Sequence, residues 1–312
     1  MKSDLFTSLL GNASARRQSC VLLLVLALIL LFSNPASATQ SLGVAILLSR
    51  EIAPYIEMVE GLEEGLPGLH LQRFFLDERG IPYSLAGQSP FLEPRSFAAM
   101  VAVGPESLRY LAPRSRSTPL IYGMVLNPEA IFSGSPAARC GVDLNLPIAA
   151  QIKALRQELP NLKSLGVLFD PANNQDWFDQ AVPLAEAQGL NLLALPVSRK
   201  SGGLDIPTGQ KRPDAILFIP DRTIISRAFI QHVIKEAALR RIPVVGFNSF
   251  FLDSGAALAF VIDYRQVGRQ VASQVTALLS GGGCRIESPE FSVQRNPQVW
   301  RSLGLPGGEG TP

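Results

Sequence analysis

The segment 213–272 determines our interpretation of the fold. Residues 213–220 read PDAILFIP, a short apolar run of strand-forming side chains closed by proline. Residues 226–240 read SRAFIQHVIKEAALR, in which apolar side chains recur at helical spacing. Two more apolar runs follow, VVGF at 244–247 and ALAFVI at 257–262. Strand, helix and strand in this order predict parallel strands joined by a right-handed crossover.

Polar residues that directly follow these apolar runs are candidates for a binding site. Ligands of open α/β sheets bind beyond the carboxyl ends of the strands. Five residues fall at such ends, Asp221, Thr223, Phe247, Asn248 and Asp263, and all but Asn248 are taken as candidate ligand-binding residues. For the two aspartates the alternative is a helix N-cap, the commoner use of Asp after a strand. For Phe247 the alternative is a core aromatic side chain.

Outside this segment the sequence shows the same alternation of apolar runs and helical patterns. The predicted strands form two groups, an earlier one at 42–48, 69–76, 98–103 and 119–125, and a later one at 165–169 and 190–197 that continues into 213–262. We therefore predict two α/β lobes. Further candidate ligand-binding residues follow these strands: Ser49, Arg50, Gly104, Pro105, Asn127, Asn173 and Asn174. The two adjacent asparagines also suit the start of a helix near Gln175, and Trp177 is interpreted as a packing residue.

Composition excludes several classes of protein. With 312 residues, 47% of them hydrophobic and 17% charged, the chain is long enough for two cores. A net charge of +2 without a basic block gives no reason to expect nucleic acid. Only two histidines occur, and no nucleophile elbow, phosphate-binding loop or zinc-protease motif is present. We therefore predict neither an enzyme nor a cofactor or metal site.

The first 38 residues have the pattern of a secretory signal peptide. Arg16 and Arg17 precede an unbroken apolar run at 20–32, and Ala36-Ser37-Ala38 resembles a cleavage site. Thirteen apolar residues are fewer than the roughly 20 that a membrane span needs, although an uncleaved anchor is the alternative. We predict export and cleavage near Ala38.

Cleavage would leave two cysteines, Cys140 and Cys284. In an oxidising compartment they either pair or remain as two small buried apolar side chains. We slightly favour the unpaired state, because nothing else in the sequence indicates dependence on a disulfide. No histidine or carboxylate pattern accompanies them, so a zinc site is not expected.

Several motifs in this order resemble the solute-binding subunits of ABC importers, particularly the group that includes tryptophan/tyrosine-binding proteins. The similarity is carried by GVD at 141–143, GVLFDPANN at 166–174, PDRT at 220–223 with Ser226, DY at 263–264 followed by GRQVA at 268–272, and Asn296 with LGL at 303–305. The chain departs from the group at Asn127, where an acidic residue is usual, and at 77–82, where a different polar motif is usual.

The resemblance implies a type I periplasmic binding fold, with two Rossmann-like α/β lobes of parallel strands joined by a hinge of three crossing segments. It implies a signal peptide at 1–38, a first lobe of 39–143 and 264–283, and a second lobe of 144–263 and 284–312. It further implies that the candidate residues face a cleft holding one small molecule, which we predict to be an amino acid or similar zwitterion. The implied protein is a periplasmic monomer that delivers its ligand to an ABC permease in the inner membrane. A ligand sensor that signals to a membrane receptor or kinase is the alternative.

Overall fold

A computed structural model of the protein describes residues 43–84, 93–132, 140–197, 206–221, 223–224 and 226–306. The predicted signal peptide lies outside these ranges. The described residues belong to one compact unit. No helix in the described ranges is long and apolar enough to cross a membrane.

Thirteen strands occur in the described part of the chain. The first six are β1 (Val44–Leu48), β2 (Leu71–Leu76), β3 (Pro82–Tyr83), β4 (Ala99–Val103), β5 (Leu120–Val125) and β6 (Gly141–Asp143). The others are β7 (Ser164–Phe169), β8 (Asn191–Pro196), β9 (Ala215–Phe218), β10 (Val244–Gly246), β11 (Leu258–Ile262), β12 (Ile286–Glu287) and β13 (Phe291–Arg295). Every apolar run from which a strand was predicted forms one.

Nine α-helices and two short 3-10 helices connect the described strands. The α-helices are α1 (Ala53–Glu64), α2 (Pro105–Leu111), α3 (Glu129–Phe132), α4 (Ile148–Glu158), α5 (Pro171–Glu186), α6 (Arg227–Leu239), α7 (Ser249–Asp253), α8 (Tyr264–Leu279) and α9 (Pro297–Leu303). The 3-10 helices are Pro94–Ser96 and Gly209–Lys211. Helix α5 begins at Pro171, where the Asp170 side chain caps it, and is kinked at Asn174, next to the start predicted near Gln175.

The strands form two sheets, so the α/β class and the two-lobe architecture are confirmed. The first sheet has the order β12-β6-β5-β4-β1-β2-β3 and the second the order β13-β11-β10-β9-β7-β8. All neighbours are parallel except the edge strands β3 and β13. Strands such as β1, β4 and β5 are buried along their whole length, as expected when helices cover both faces of a parallel sheet.

The chain crosses between the sheets three times. It leaves the first sheet after β6, returns to it after β11, where α8 packs on α1, and leaves it again after β12. Ile286 pairs with Gly141 in the first sheet. The segment 284–287 therefore belongs with the first lobe, although we had predicted it in the second. A strand of two residues is too short to produce a periodic signal in the sequence.

Cys140 and Cys284 form a disulfide, so the favoured expectation of two unpaired thiols is wrong. Their Cα atoms lie 5.3 Å apart although 144 positions separate them in sequence. The cysteines come close because β6 and β12 are neighbouring strands. The bond therefore joins the residue directly before β6 to the segment just before β12, the two strands after which the chain leaves the first sheet.

Two glycines allow α1 and α8 to pack backbone against backbone. A Cβ at Gly268 would overlap the carbonyl oxygen of Met58 and lie 2.6 Å from the nitrogen of Leu62. A Cβ at Gly61 would likewise overlap the carbonyl oxygen of Arg265. This close contact with α1 fixes the position of α8, and with it the segment in which the chain returns from the second sheet.

We expect Gly268→Ala to destabilise the protein by about 3 kcal/mol, because the added methyl group meets backbone atoms that cannot move aside. Chemical denaturation followed by circular dichroism measures the change. Gly283→Ala is the matched control, since no atom lies within 4 Å of its added Cβ, and it should change stability by less than about 0.5 kcal/mol. Equal stability of the two variants would contradict the close packing of α1 against α8.

Candidate functional site

The carboxyl ends of strands from both sheets open onto one cavity of about 910 Å³. The first lobe contributes the loop after β5, and the second contributes the start of α5 and the loops after β9 and β10. All three crossings also reach the cavity, through 144–147, Tyr264 and Ser288. The cavity therefore lies where relative movement of the two lobes would change its shape.

Four of the predicted site residues line this cavity: Asn127, Asn173, Asn174 and Phe247. Asn127 has a left-handed backbone (φ 52°), which asparagine tolerates better than most residues. Its Oδ1 accepts a hydrogen bond of 3.2 Å from Nδ2 of Asn145 on the first crossing. The ring of Phe247 packs against that of Phe251, with 4.8 Å between their centroids.

Asp221 does not line the cavity but holds the two asparagines that do. Its carboxylate accepts hydrogen bonds from Nδ2 of Asn173 (3.1 Å) and Nδ2 of Asn174 (2.6 Å). It also accepts the backbone N–H groups of Asp170 and Thr223, at 2.8 Å each. Burial raises the pKa of Asp221, but these four donors outweigh burial, so its pKa is lowered and the side chain is ionised at neutral pH. Four donors fill the acceptor positions of a carboxylate, which leaves none for a ligand ammonium group.

Thr223 completes the same cluster. Its hydroxyl donates to Oδ2 of Asp170 (2.7 Å) and accepts from Nδ2 of Asn173 (3.1 Å). Asp170 in turn caps α5 by accepting the N–H of Ala172. The loop after β9 thus fixes the start of α5, where Asn174 departs from helical geometry (φ −134°, ψ 21°). The cluster of Asp170, Asp221 and Thr223 positions Asn173 and Asn174 at the cavity.

Asp263 is exposed and caps α8 by accepting the backbone N–H of Gln266 at 3.0 Å. It is not among the cavity residues. The structure thus gives Asp263 the capping use that we had kept as its alternative.

The predicted residues after β1 and β4 form a separate contact within the first lobe. Ser49 is buried, and its hydroxyl oxygen accepts the N–H of Ser107 in the first turn of α2 at 2.9 Å. A Cβ at Gly104 would lie 2.7 Å from the same oxygen, so this left-handed glycine (φ 93°) has no room for a side chain. Pro105 begins α2, and the largely exposed Arg50 pairs with Glu106 at 3.7 Å. None of these four candidates lines the cavity.

Four residues that sequence reasoning did not select also line the cavity: Asn145, Trp177, Asn248 and Tyr264. Trp177 follows Asn174 on α5, and both line the cavity. Asn248 directly follows Phe247 at the end of β10. Burial, and to a lesser degree Glu57, raises the pKa of Tyr264, which remains a neutral phenol. Asn145, Asn248 and Tyr264 closely follow the ends of β6, β10 and β11, and this position was the available signal, whereas Trp177 lies within α5 and had none.

The cavity wall is apolar, aromatic and rich in carboxamides, with little charge. Asp176 is the one charged side chain among the described lining residues, which include no lysine, arginine or histidine. The first turn of α4, at Ile148 and Ala149, lies at the cavity without a side-chain cap. Its free backbone N–H groups and the helix dipole suit a carboxylate. No group of three metal-ligating side chains occurs in the described ranges.

Comparison with known protein families gives one match. The model of a family described as "ABC transporter substrate binding protein" matches residues 133–299, more than half of the chain. The match includes β7 to β11 and the cavity-lining residues of the second lobe. No curated protein sequence matches the chain significantly.

Solved structures resemble the chain over most of its length. A substrate binding protein with adhesive properties from Clostridium difficile, in a ligand-free, open form, has a TM-score of 0.65 at 15% identity, covering 86% of this chain and 97% of its own. A conserved domain protein from Vibrio cholerae has a TM-score of 0.54 at 20% identity, with coverages of 85% and 95%. An ABC domain in complex with L-Trp from Streptococcus pneumoniae has a TM-score of 0.54 at 16% identity, with coverages of 84% and 95%. At these identities the likeness is one of fold.

Proposed function

Since the chain belongs to the ABC transporter substrate-binding protein family, we propose that it is the extracytoplasmic solute-binding subunit of an ABC importer. In this proposal residues 1–38 direct export and are removed, and the mature protein acts as a periplasmic monomer without enzymatic activity. It delivers its solute to a permease in the inner membrane. The observation that carries the proposal is the cavity that both lobes and all three crossings line.

We propose that the lobes close around the solute by a hinge at the three crossings. Leu126 on the first lobe and Leu184 on the second both line the cavity, with 43% and 41% of their surface exposed. Closure would bury such apolar surface. A solute that contacts both lobes stabilises the closed form by the difference in its affinity for the two forms.

The chemistry of the cavity supports an amino acid or similar small zwitterion. The uncapped first turn of α4 offers donors for a carboxylate. The aromatic rings of Trp177, Phe247 and Tyr264 suit an apolar or aromatic side chain. The described lining residues include no cationic side chain, and their one carboxylate, Asp176, is exposed. A charge on the solute beyond its carboxylate and ammonium groups would therefore lose its hydration without a buried partner. The solute proposed here therefore carries no net charge.

Calorimetric titration with a panel of amino acids and small organic acids tests this proposal. We expect amino acids with neutral side chains to bind, and those with ionised side chains to bind at least about tenfold more weakly, because an unpaired charge is costly to bury. X-ray scattering of the same samples should show a smaller radius of gyration with bound solute. Binding confined to sugars or metal ions would contradict the proposed class of solute, and an unchanged radius would contradict closure.

A further inference from the structure

The side chain of Asn248 contains a buried polar atom that the fold leaves without a hydrogen bond. Its Oδ1 is the one buried side-chain nitrogen or oxygen atom of the described residues that has no partner. Asn248 is the N-cap residue of α7, yet its side chain makes no capping hydrogen bond. A buried acceptor without a donor destabilises a protein, so a purely structural role does not explain this carboxamide.

Asn248 lies at the cavity wall, next to Phe247. The residue lines the wall while its Oδ1 is buried. The terminal torsion of an asparagine is broad, so rotation of the carboxamide can turn the oxygen toward a molecule bound at the wall. From these observations, and resting on the proposed function, we infer that Asn248 recognises the solute by accepting a hydrogen bond from its ammonium group.

The charges around the cavity support this assignment. Asp221 has no acceptor position left, and Asp263 caps α8 outside the cavity. Asp176, the one carboxylate among the described lining residues, is exposed to solvent. The carboxamide oxygen of Asn248 is therefore the buried acceptor that still lacks a donor. An ammonium group would supply a charge-assisted hydrogen bond, which is stronger than one between neutral groups.

A second asparagine of the same lobe provides a matched control. Asn296 is also an N-cap residue after a strand, but both polar atoms of its side chain have hydrogen-bond partners. Its Oδ1 accepts the N–H groups of Gln298 and Val299 at 3.1 Å each, and its Nδ2 donates to the carbonyl of Leu252 at 3.0 Å. Asn248→Ala should therefore leave the melting temperature unchanged or raise it, whereas Asn296→Ala should lower it by several degrees.

The experiment measures the melting temperature and the binding of two probes, L-tryptophan and indole-3-propionate, which differ only in the ammonium group. We expect the wild type to prefer L-tryptophan, and Asn248→Ala to bind L-tryptophan about ten- to a hundredfold more weakly while binding indole-3-propionate unchanged. Asn248→Asp, which keeps an acceptor oxygen, should retain the preference for L-tryptophan. Asn296→Ala should bind both probes as the wild type does.

Each outcome separates this inference from the proposed function. If the wild type binds L-tryptophan and Asn248→Ala binds it equally well, the role of Asn248 is refuted and the proposed function stands. If the wild type binds no amino acid, the proposed class of solute fails. The melting temperatures test the assignment without any probe, because a loss in Asn248→Ala as large as that in Asn296→Ala would show that Asn248 is a structural cap.

Discussion

Asp221→Ala is expected to weaken solute binding about 30-fold and to destabilise the protein by about 3 kcal/mol. The buried carboxylate accepts four hydrogen bonds, and removing it leaves the N–H groups of Asp170 and Thr223 without their partner. Asn173 and Asn174 also lose the acceptor that holds them at the cavity. Ordering two freed side chains on binding costs about 1 kcal/mol each, which corresponds to the 30-fold loss. Calorimetry and chemical denaturation measure the two effects.

Asp214→Ala is the control for this prediction. Asp214 is likewise an aspartate of the second lobe whose carboxylate accepts several hydrogen bonds, from the N–H groups of Lys163 and Ser164 and from the hydroxyl of Ser164. It directly precedes β9, at the amino end of this strand, whereas the cavity lies at the carboxyl end. This variant should lose stability and keep its affinity. Equal losses of affinity in Asp214→Ala and Asp221→Ala would show that binding responds to overall stability and not to the position of Asn173 and Asn174.

Most of the fold was predictable because its strands are buried on both faces. Such strands appear as unbroken apolar runs, and the runs at 98–103 and 119–125 correspond closely to β4 and β5. β12 was not predictable, because a strand of two residues has no sequence pattern. It forms because the edge of β6 is available for its two residues to pair with. The disulfide escaped prediction for the same reason, because it depends on that pairing.

The site was predictable in location but not in the role of each residue. The rule that ligands bind beyond the strand ends placed Asn127, Asn173, Asn174 and Phe247 at the cavity. The same rule cannot tell whether a polar side chain faces the cavity or a neighbouring loop. Asp221 faces the start of α5, and Asp263 faces the first turn of α8. Both outcomes depend on backbone N–H groups whose direction a sequence does not reveal.

Removing the disulfide is expected to have the largest effect on stability. Cys140 and Cys284 close a loop that contains five of the six strands of the second sheet, β7 to β11. For a loop of 144 residues the entropy lost from the unfolded chain corresponds to about 5 kcal/mol. Cys140→Ala combined with Cys284→Ala should lower the free energy of unfolding by about this amount, as measured by chemical denaturation.

Solute affinity should nevertheless stay within about twofold of the wild type in this double variant. Both cysteines belong to the first lobe, where β12 also remains paired with β6 and Glu287 accepts a hydrogen bond of 2.6 Å from Gln274. The bond therefore constrains the unfolded chain without linking the lobes that close on the solute. The wild type under reducing conditions should behave as the double variant does, and the double variant should not respond to reductant. A fall in affinity parallel to the fall in stability would show instead that the disulfide takes part in the hinge.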